Sequence, residues 1–280
     1  MILDYRNRPP SADLAPYIRQ LFVIRATMGD ERPVNDWLYA HTAFVRVVVK
    51  NESAAAVRTP KPHESEDPVI LGCSLHGFPI RTGGTHASVG FAIRPGAWRV
   101  LFDADARTLV DAAQPLVAHW DQIAVDMKQR LASVDDDDGF VAVLEDAIRA
   151  RLAQRDLRLV DTKIDLFENI MRLQSMARVD DVAARLGLSA RQFERRCLAT
   201  FGLPPKVIMR RSRFLDMAAA MKGYSAPGEE QLAALRYFDM SHRNREFRKF
   251  IGMTPGRFLK ESAPMMNLGL AFREKGKQMV

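Results

Sequence analysis

Residues 180 to 260 carry one helix-turn-helix pattern written twice, and a supersecondary unit used twice constrains the fold more than any isolated motif. Phe201-Gly202-Leu203-Pro204-Pro205 returns fifty residues later as Ile251-Gly252-Met253-Thr254-Pro255, and Arg195 and Cys197 return in step as Arg245 and Phe247. A unit of this kind that reads DNA would let one chain address two successive major grooves.

In the first copy, Asp180 is the expected cap of a short helix with the apolar stripe Val182, Ala183 and Leu186, and Gly187 supplies the left-handed residue that ends it. After Leu188, Ser189-Ala190-Arg191-Gln192 matches a capping box that starts a second helix, so a capping role for Gln192 competes with base reading. Projected at about 100° per residue, Phe193, Cys197 and Thr200 share the face that packs on the preceding helix, while Arg191 and Arg195 point the other way. An arginine pair so placed suits bidentate contact with guanine, each good pair giving about 1–3 kcal/mol of discrimination. Arg196 flanks that face and suits phosphate, and Glu194 either accepts from cytosine or holds Arg191 or Arg195. Alone, the unit could be an amphipathic helix pair with a solvated basic face; the second copy argues against that.

Charge follows the repeat. Residues 161–280 hold 22 Lys and Arg against 13 Asp and Glu, a net of +9, whereas residues 1–160 hold 19 against 21, a net of −2, within a chain total of +7. Basic surface confined to one domain is the sequence-independent attraction to phosphate, and it separates DNA holding from another task in the first half. A helix over Pro205–Lys222, stopped at Gly223, is expected to join the units and fix their separation. In the second unit the same projection puts Ser241, His242, Asn244, Arg245, Arg248 and Lys249 on or beside the DNA face, with Arg245 reaching bases and the others mainly backbone.

These residues resemble the AraC/XylS transcription regulators. Val182 to Ser189, Phe193-Glu194-Arg195-Arg196, Phe201-Gly202, Arg213 and Ala218 look like the family's first motif; Tyr237 to His242, Arg245-Glu246-Phe247-Arg248 and Gly252 to Phe258 look like its second. In the first half, Ile93-Arg94-Pro95-Gly96-Ala97 after a strand is similar to a small β-rich sensor domain found in some members. The resemblance implies binding to double-stranded promoter DNA and recruitment or hindrance of RNA polymerase, often under an effector or partner on the other domain. Three positions depart from the pattern: Arg236 replaces a turn glycine, Arg243 a buried apolar residue, and Met240 a common glutamine. Arg243 is expected to snorkel to solvent or pair with Glu229 or Glu230, leaving the second unit folded but reading bases less strictly.

The first half changes character along its length. Leu21–Arg25, Ala43–Val49, Val69–Leu71 and Ser88–Ile93 read as strands. Leu116, Trp120, Ile123, Met127 and Leu131, then Phe140, Leu144, Ile148 and Leu152, recur at helical steps and predict two helices broken around Asp135–Gly139. That acidic run is a solvated loop facing the next helix's positive end, since it lacks the spaced ligands of a calcium loop. Arg151–Thr162 is charged and expected to be helical, with the domain connection near 155–165.

The expected fold class is therefore α+β. Residues 1–158 form a β-rich sensor, regulatory or dimerisation domain with trailing helices, 159–262 an all-α double helix-turn-helix domain, and 263–280 a tail that is a packed helix, a partner surface or a disordered arm.

Other functions find little support. Two cysteines, Cys73 and Cys197, cannot build a disulfide scaffold or a cysteine-rich zinc site, which also excludes a DNA-repair methyl acceptor; a reducing cytoplasm is the expected compartment. No apolar run approaches the roughly 20 residues of a membrane span, and no secretory signal is read at Met1–Arg6. His76 and His86 lack metal-ligand spacing, Cys73 with His76 or His119 lacks an oxyanion loop, and neither a catalytic set nor a cofactor is assigned. The competing class is a nonspecific DNA-binding or protein-interaction module. A small-molecule effector near Trp37, Tyr39, Phe91 or Trp98 and a homodimer through the first domain remain open, because aromatic residues at such positions are often core.

Overall fold

The computed structural model describes residues 2–27, 34–39, 41–51, 56–57, 68–82, 85–156, 159–225, 240–261, 263–275 and 277. Strands β1 (Ile2–Arg8), β2 (Ile18–Thr27), β4 (Phe44–Asn51), β6 (Val69–Leu71), β8 (Thr85–Ile93) and β9 (Ala113–Pro115) form one antiparallel sheet in the order β1-β2-β8-β4-β6-β9. A second sheet pairs β3 (Val34–Leu38), β7 (Phe78–Thr82) and β5 (Ala56–Val57) in the order β3-β7-β5.

Alternation along the central strands decides what each face meets. Leu21 lies opposite Phe91 and Phe91 opposite Val45; one step along, Val23, Val89 and Val47 form the next row. After the single-turn helix α1 (Trp98–Leu101) come α2 (Val117–Ala132) and α3 (Asp137–Ala153), and both rows are fully buried under these two, against Trp120, Met127, Phe140, Leu144 and Ile148. Phe22, Ile24 and Phe44 occupy the other face. At Gly90 the backbone runs so close to Val45 and Phe22 that a Cβ would overlap both.

The four expected strands and two helices lie within these elements. The acidic run is only partly solvated: Asp136 caps α3 by accepting from Gly139 N at 2.8 Å, whereas Asp137 is buried and paired with Arg25 and Arg6. The helix expected over Arg151–Thr162 ends at Ala153, and α4 (Thr162–Leu173) begins after a connection with Asp161 as its cap.

Helices α5 (Val179–Arg185), α6 (Ala190–Phe201) and α7 (Pro205–Met221) follow, then α8 (Met240–Phe250), α9 (Pro255–Lys260) and α10 (Pro264–Lys275). Ile164, Phe167, Val182, Phe193, Cys197 and Phe201 make one core, with Phe167 edge-on to Phe193 at 4.8 Å. Phe214, Phe247, Phe250 and Phe258 make another, and α7 contributes to both. Arg236, Glu229 and Glu230 lie outside the described residues, as does the Arg243 side chain.

Within the tail, Pro264–Lys275 is a packed helix. Met266 and Leu270 are buried, Phe272 packs on Tyr5 with tilted rings 4.3 Å apart, and Tyr39 donates to Gly269 O at 3.1 Å. Asp36 caps its start by accepting from Met265 N at 2.6 Å, and Asp216 of α7 receives Arg273 and Lys277 near its end. Thus α10 joins the N-terminal domain to the helix linking the two repeats.

Candidate nucleic-acid interface

Local chemistry sets where the helices of the first unit begin and end. The residue capping α5 is Arg178 and not Asp180, which sits with Asp181 in the first turn, where carboxylates complement the helix dipole. Gly187 adopts φ +62°, which a side chain rarely tolerates. The capping box closes in both directions: Gln192 N donates to Ser189 Oγ at 3.3 Å, and Ser189 N donates to Gln192 Oε1 at 3.0 Å. The Gln192 amide oxygen is thereby occupied by the cap.

With its start fixed, α6 divides as the projection requires. Phe193, Cys197 and Thr200 are buried, while Arg191, Glu194 and Arg195 are exposed. Burial pushes the Cys197 thiol well above its ordinary pKa, so it behaves as an apolar core group. Arg191 and Arg195 make no ion pair or hydrogen bond among the described residues, leaving their forks open to a ligand. Arg196 is half-buried and paired with Asp161.

In the second unit, α8 buries Phe247 and Phe250 and exposes Arg245 and Arg248; Asn244 and Lys249 are half-exposed. Ser241 and His242 lie in its first turn, and their side chains are outside the described residues. Glu246, on the buried side, receives Arg210 of α7, tying α8 to α7.

The N-terminal domain reaches into this arrangement at two places that the sequence did not reveal. One is the loop after β6. Arg211 of α7 is buried, and its Nη1 donates to Ser74 O at 2.8 Å and His41 O at 2.9 Å, with Cys73 Sγ at 3.0 Å. Farther along, Gly77 N donates to Lys249 O at 3.3 Å, and a Cβ at Gly77 would lie 2.5 Å from the Ile251 backbone. Leu75, between them, packs against the cores of both units.

The second place is Pro95–Val110. A cleft of about 690 Å³ lies between this stretch and α6, with Arg99, Asp103, Asp105, Arg107 and Arg155 on one wall and Ser189, Arg191, Glu194, Arg195 and Leu198 on the other. Asp105 holds Arg107 and Asp103 holds Arg155. Below the cleft, a Cβ at Gly202 would lie 2.5 Å from Ala106 O.

The four aromatic residues considered for an effector have different fates. Phe91 and Trp98 are fully buried core, and Trp37 is half-buried against Gly252 with Arg257 over its ring. Tyr39 lines a cavity of about 220 Å³ between the free face of the large sheet and α10, along with Phe22, Phe44, Leu71, Arg19 and Leu268. His76 bonds Asp111 at 2.7 Å, His119 bonds Gln114 at 2.8 Å, and the His86 side chain is outside the described residues.

Residues 182–261 match the family model described as a helix-turn-helix domain. A structure of ToxT from Vibrio cholerae is similar over 86% of this chain and 97% of that one, with 11% identity and a TM-score of 0.46. A second ToxT structure, from Vibrio cholerae O395, aligns over 85% and 95% at 11% identity and a TM-score of 0.44. A third, bound to (E)-4-(8-methylnaphthalen-1-yl)but-3-enoic acid, aligns over 92% and 98% at 9% identity and 0.39. No curated protein matches the sequence.

Proposed function

We propose that this DNA-binding regulator, whose residues 182–261 form an AraC-type helix-turn-helix domain, sets two recognition helices in successive major grooves of promoter DNA. In the same reading, an effector or partner at the N-terminal domain modulates that binding. The observation that carries the reading is α6: a doubly satisfied cap and a buried Phe193 and Cys197 hold the helix, while Arg191 and Arg195 are exposed on its opposite face. Arginine forks on a rigid helix are suited to guanine O6 and N7. Repetition of the pattern in α8, with Phe247 buried and Arg245 and Arg248 exposed, supports a second reader.

The base-reading set is Arg191, Glu194, Arg195 and Arg245, with Ser189, Gln192, Arg196, Ser241, His242, Asn244, Arg248 and Lys249 toward the backbone. Gln192 serves chiefly as a cap, and Arg196 must leave Asp161 to meet phosphate. For an effector, the cavity between the sheet and α10 offers an apolar wall and the polar groups of Arg19 and Tyr39, a composition suited to a small molecule. RNA polymerase is the second macromolecular partner in this reading, and a homodimer through the first domain would double the number of readers.

Selection of bound fragments from genomic DNA at physiological salt tests the proposal. The expected result is a two-part site whose halves lie about 34 Å apart, one helical turn. Footprinting then separates the roles: Arg195→Ala should relax sequence preference, and Arg248→Ala should weaken specific and random DNA alike. Equal loss on both kinds of DNA for both variants would defeat the assignment, and binding with no preferred site would leave a nonspecific DNA-binding module.

A further inference from the structure

Two separate elements run from the core of the first unit to the core of the second: helix α7, and a loop that the N-terminal domain lays beside it. From this geometry we propose that the loop at residues 72–77 is a spacer that fixes the angle between α6 and α8, and with it the half-site separation that the chain accepts on DNA. The proposal rests on α6 and α8 both being DNA readers.

One helix shared by two units sets their distance along its axis, but their rotation about that axis is held only by packing, which slides at low cost. Helix α7 gives Ile208 and Met209 to the first core and Phe214, Leu215 and Ala218 to the second. The loop makes the same passage from the other side. Cys73 lies in the first core, Leu75 packs on both, and Gly77 N donates to Lys249 O of the second unit at 3.3 Å. Arg211 ties the two paths together, reaching Ser74 O at 2.8 Å from between the α7 residues that serve one core and those that serve the other. A second path fastened to the first at its middle opposes the rotation that one path alone permits.

The loop is held at successive residues by its own domain. Asp111 Oδ1 accepts from Leu75 N at 2.7 Å and His76 N at 2.9 Å, Oδ2 meets His76 Nδ1 at 2.7 Å, and Asp111 N donates to Cys73 O at 3.2 Å. Asp111 has φ +54°, a conformation unfavourable for a residue with a side chain and kept only where the surroundings impose it. At the far end the fit leaves no slack. A Cβ at Gly77 would lie 2.5 Å from the Ile251 backbone, and one at Gly252, where φ is +84°, would overlap the Trp37 ring and lie 3.1 Å from Gly77 O.

Half-sites on B-DNA differ in phase as well as distance, because one inserted base pair turns the second half by about 34–36°. Two linked readers gain about 10²–10⁴ in affinity when both engage, and lose that gain where the geometry prevents it. A fixed angle between α6 and α8 confines the gain to one spacing. An angle free to vary spreads it over several spacings at a lower peak.

The test uses full-length protein and the operator selected from genomic DNA, rebuilt as duplexes with the halves moved by one or two base pairs in either direction, and as a duplex keeping the first half alone. By fluorescence anisotropy at physiological salt, the unsubstituted chain should lose about a hundredfold between the selected spacing and the worst of the shifted ones. Leu75→Ala removes the side chain common to both cores and should shrink that spread to about tenfold or less, with half-site binding unchanged within about twofold. Leu75→Met, apolar and close in volume, should restore the spread. Gly77→Ala pushes on the Ile251 backbone and should shift the preferred spacing. An unchanged spacing profile in Leu75→Ala and Gly77→Ala overturns the spacer and leaves both readers standing. Parallel loss at every spacing and on the half-site also overturns it, since a loop that only stabilises the fold would act in that way. An unsubstituted chain that binds the half-site as tightly as the whole operator has no second reader, and the proposal then falls with the reading it rests on.

Discussion

Replacing Arg211 with methionine tests how the N-terminal domain is fastened to the helix between the repeats. The guanidinium is 3% exposed and makes no ion pair among the described residues; its partners are the carbonyls of His41 and Ser74 and the thiol of Cys73. Methionine retains an apolar chain but leaves Ser74 O without its donor, at about 1–3 kcal/mol when buried and unmet, whereas His41 O keeps the Ser74 N–H. Part of that loss is returned, because a buried guanidinium no longer needs desolvating. The net expectation is about 1 kcal/mol of destabilisation, which in a chain of this size lowers Tm by about 2–4 °C. Calorimetry measures the Tm, and hydrogen exchange followed by mass spectrometry localises the change. Exchange should accelerate at residues 72–77 and along α7, whereas the α2–α3 pair should keep its protection. Arg211→Lys keeps the charge but cannot span the same acceptors from one fork, so it should fall between the two. A methionine variant as stable as the unsubstituted protein, with unchanged exchange at 72–77, would refute the claim that this side chain fastens the domains.

Ser189→Ala opens one side of the capping box and should cost about 1 kcal/mol by denaturant unfolding, with faster exchange in the first turn of α6; unchanged exchange there would contradict the assigned cap. Asp36→Ala removes the acceptor at the start of α10 and should expose the segment after Ala263 to limited proteolysis, with Met265 and Met266 losing their partner. Burial lowers the His41 pKa to about 4 from an ordinary 6.5, so the unfolded chain takes up a proton at a higher pH than the folded one. The stabilisation is full above pH 6.5 and is lost as pH falls toward 4, by up to roughly 3 kcal/mol from two to three pKa units. His41→Gln should flatten this part of the pH–stability curve, and an unchanged curve would place the titration elsewhere.

Elements with strong periodicity were legible without coordinates, because a buried face imposes its spacing directly on the sequence. Trp120, Met127 and Leu131 betrayed α2, and Phe193 with Cys197 gave the buried side of α6. The capping box was visible because both of its hydrogen bonds join residues three apart in the chain. The strands missed were those with mixed or short patterns. β1 reads Ile2-Leu3-Asp4-Tyr5-Arg6-Asn7-Arg8, and its charged residues hide an edge strand whose Arg6 reaches Asp137 more than a hundred residues away. β9 is Ala113-Gln114-Pro115, too short for any period to appear.

What escaped the sequence most completely is how α6 and α8 are positioned, for a reason rooted in the chemistry of the contacts. Arg211, Asp161, Asp36 and Asp216 have polar side chains on or beside helices and strands, and in sequence each reads as ordinary solvated surface. Their partners lie far off in the chain, as with Arg211 to Ser74 and Asp36 to Met265, so no local pattern pairs them. The repeat gives two similar units, but similarity does not make their surroundings equal. The first presents its arginines to a cleft walled by Pro95–Val110, and the second is tied through Lys249 O to the loop at Gly77 and through Glu246 to α7. Under the proposed modulation, a movement of the N-terminal domain would bear on α6 at the cleft and on α8 at the Gly77 contact. Such modulation would require no change in the core of either unit, Phe167 with Phe193 and Phe214 with Phe247.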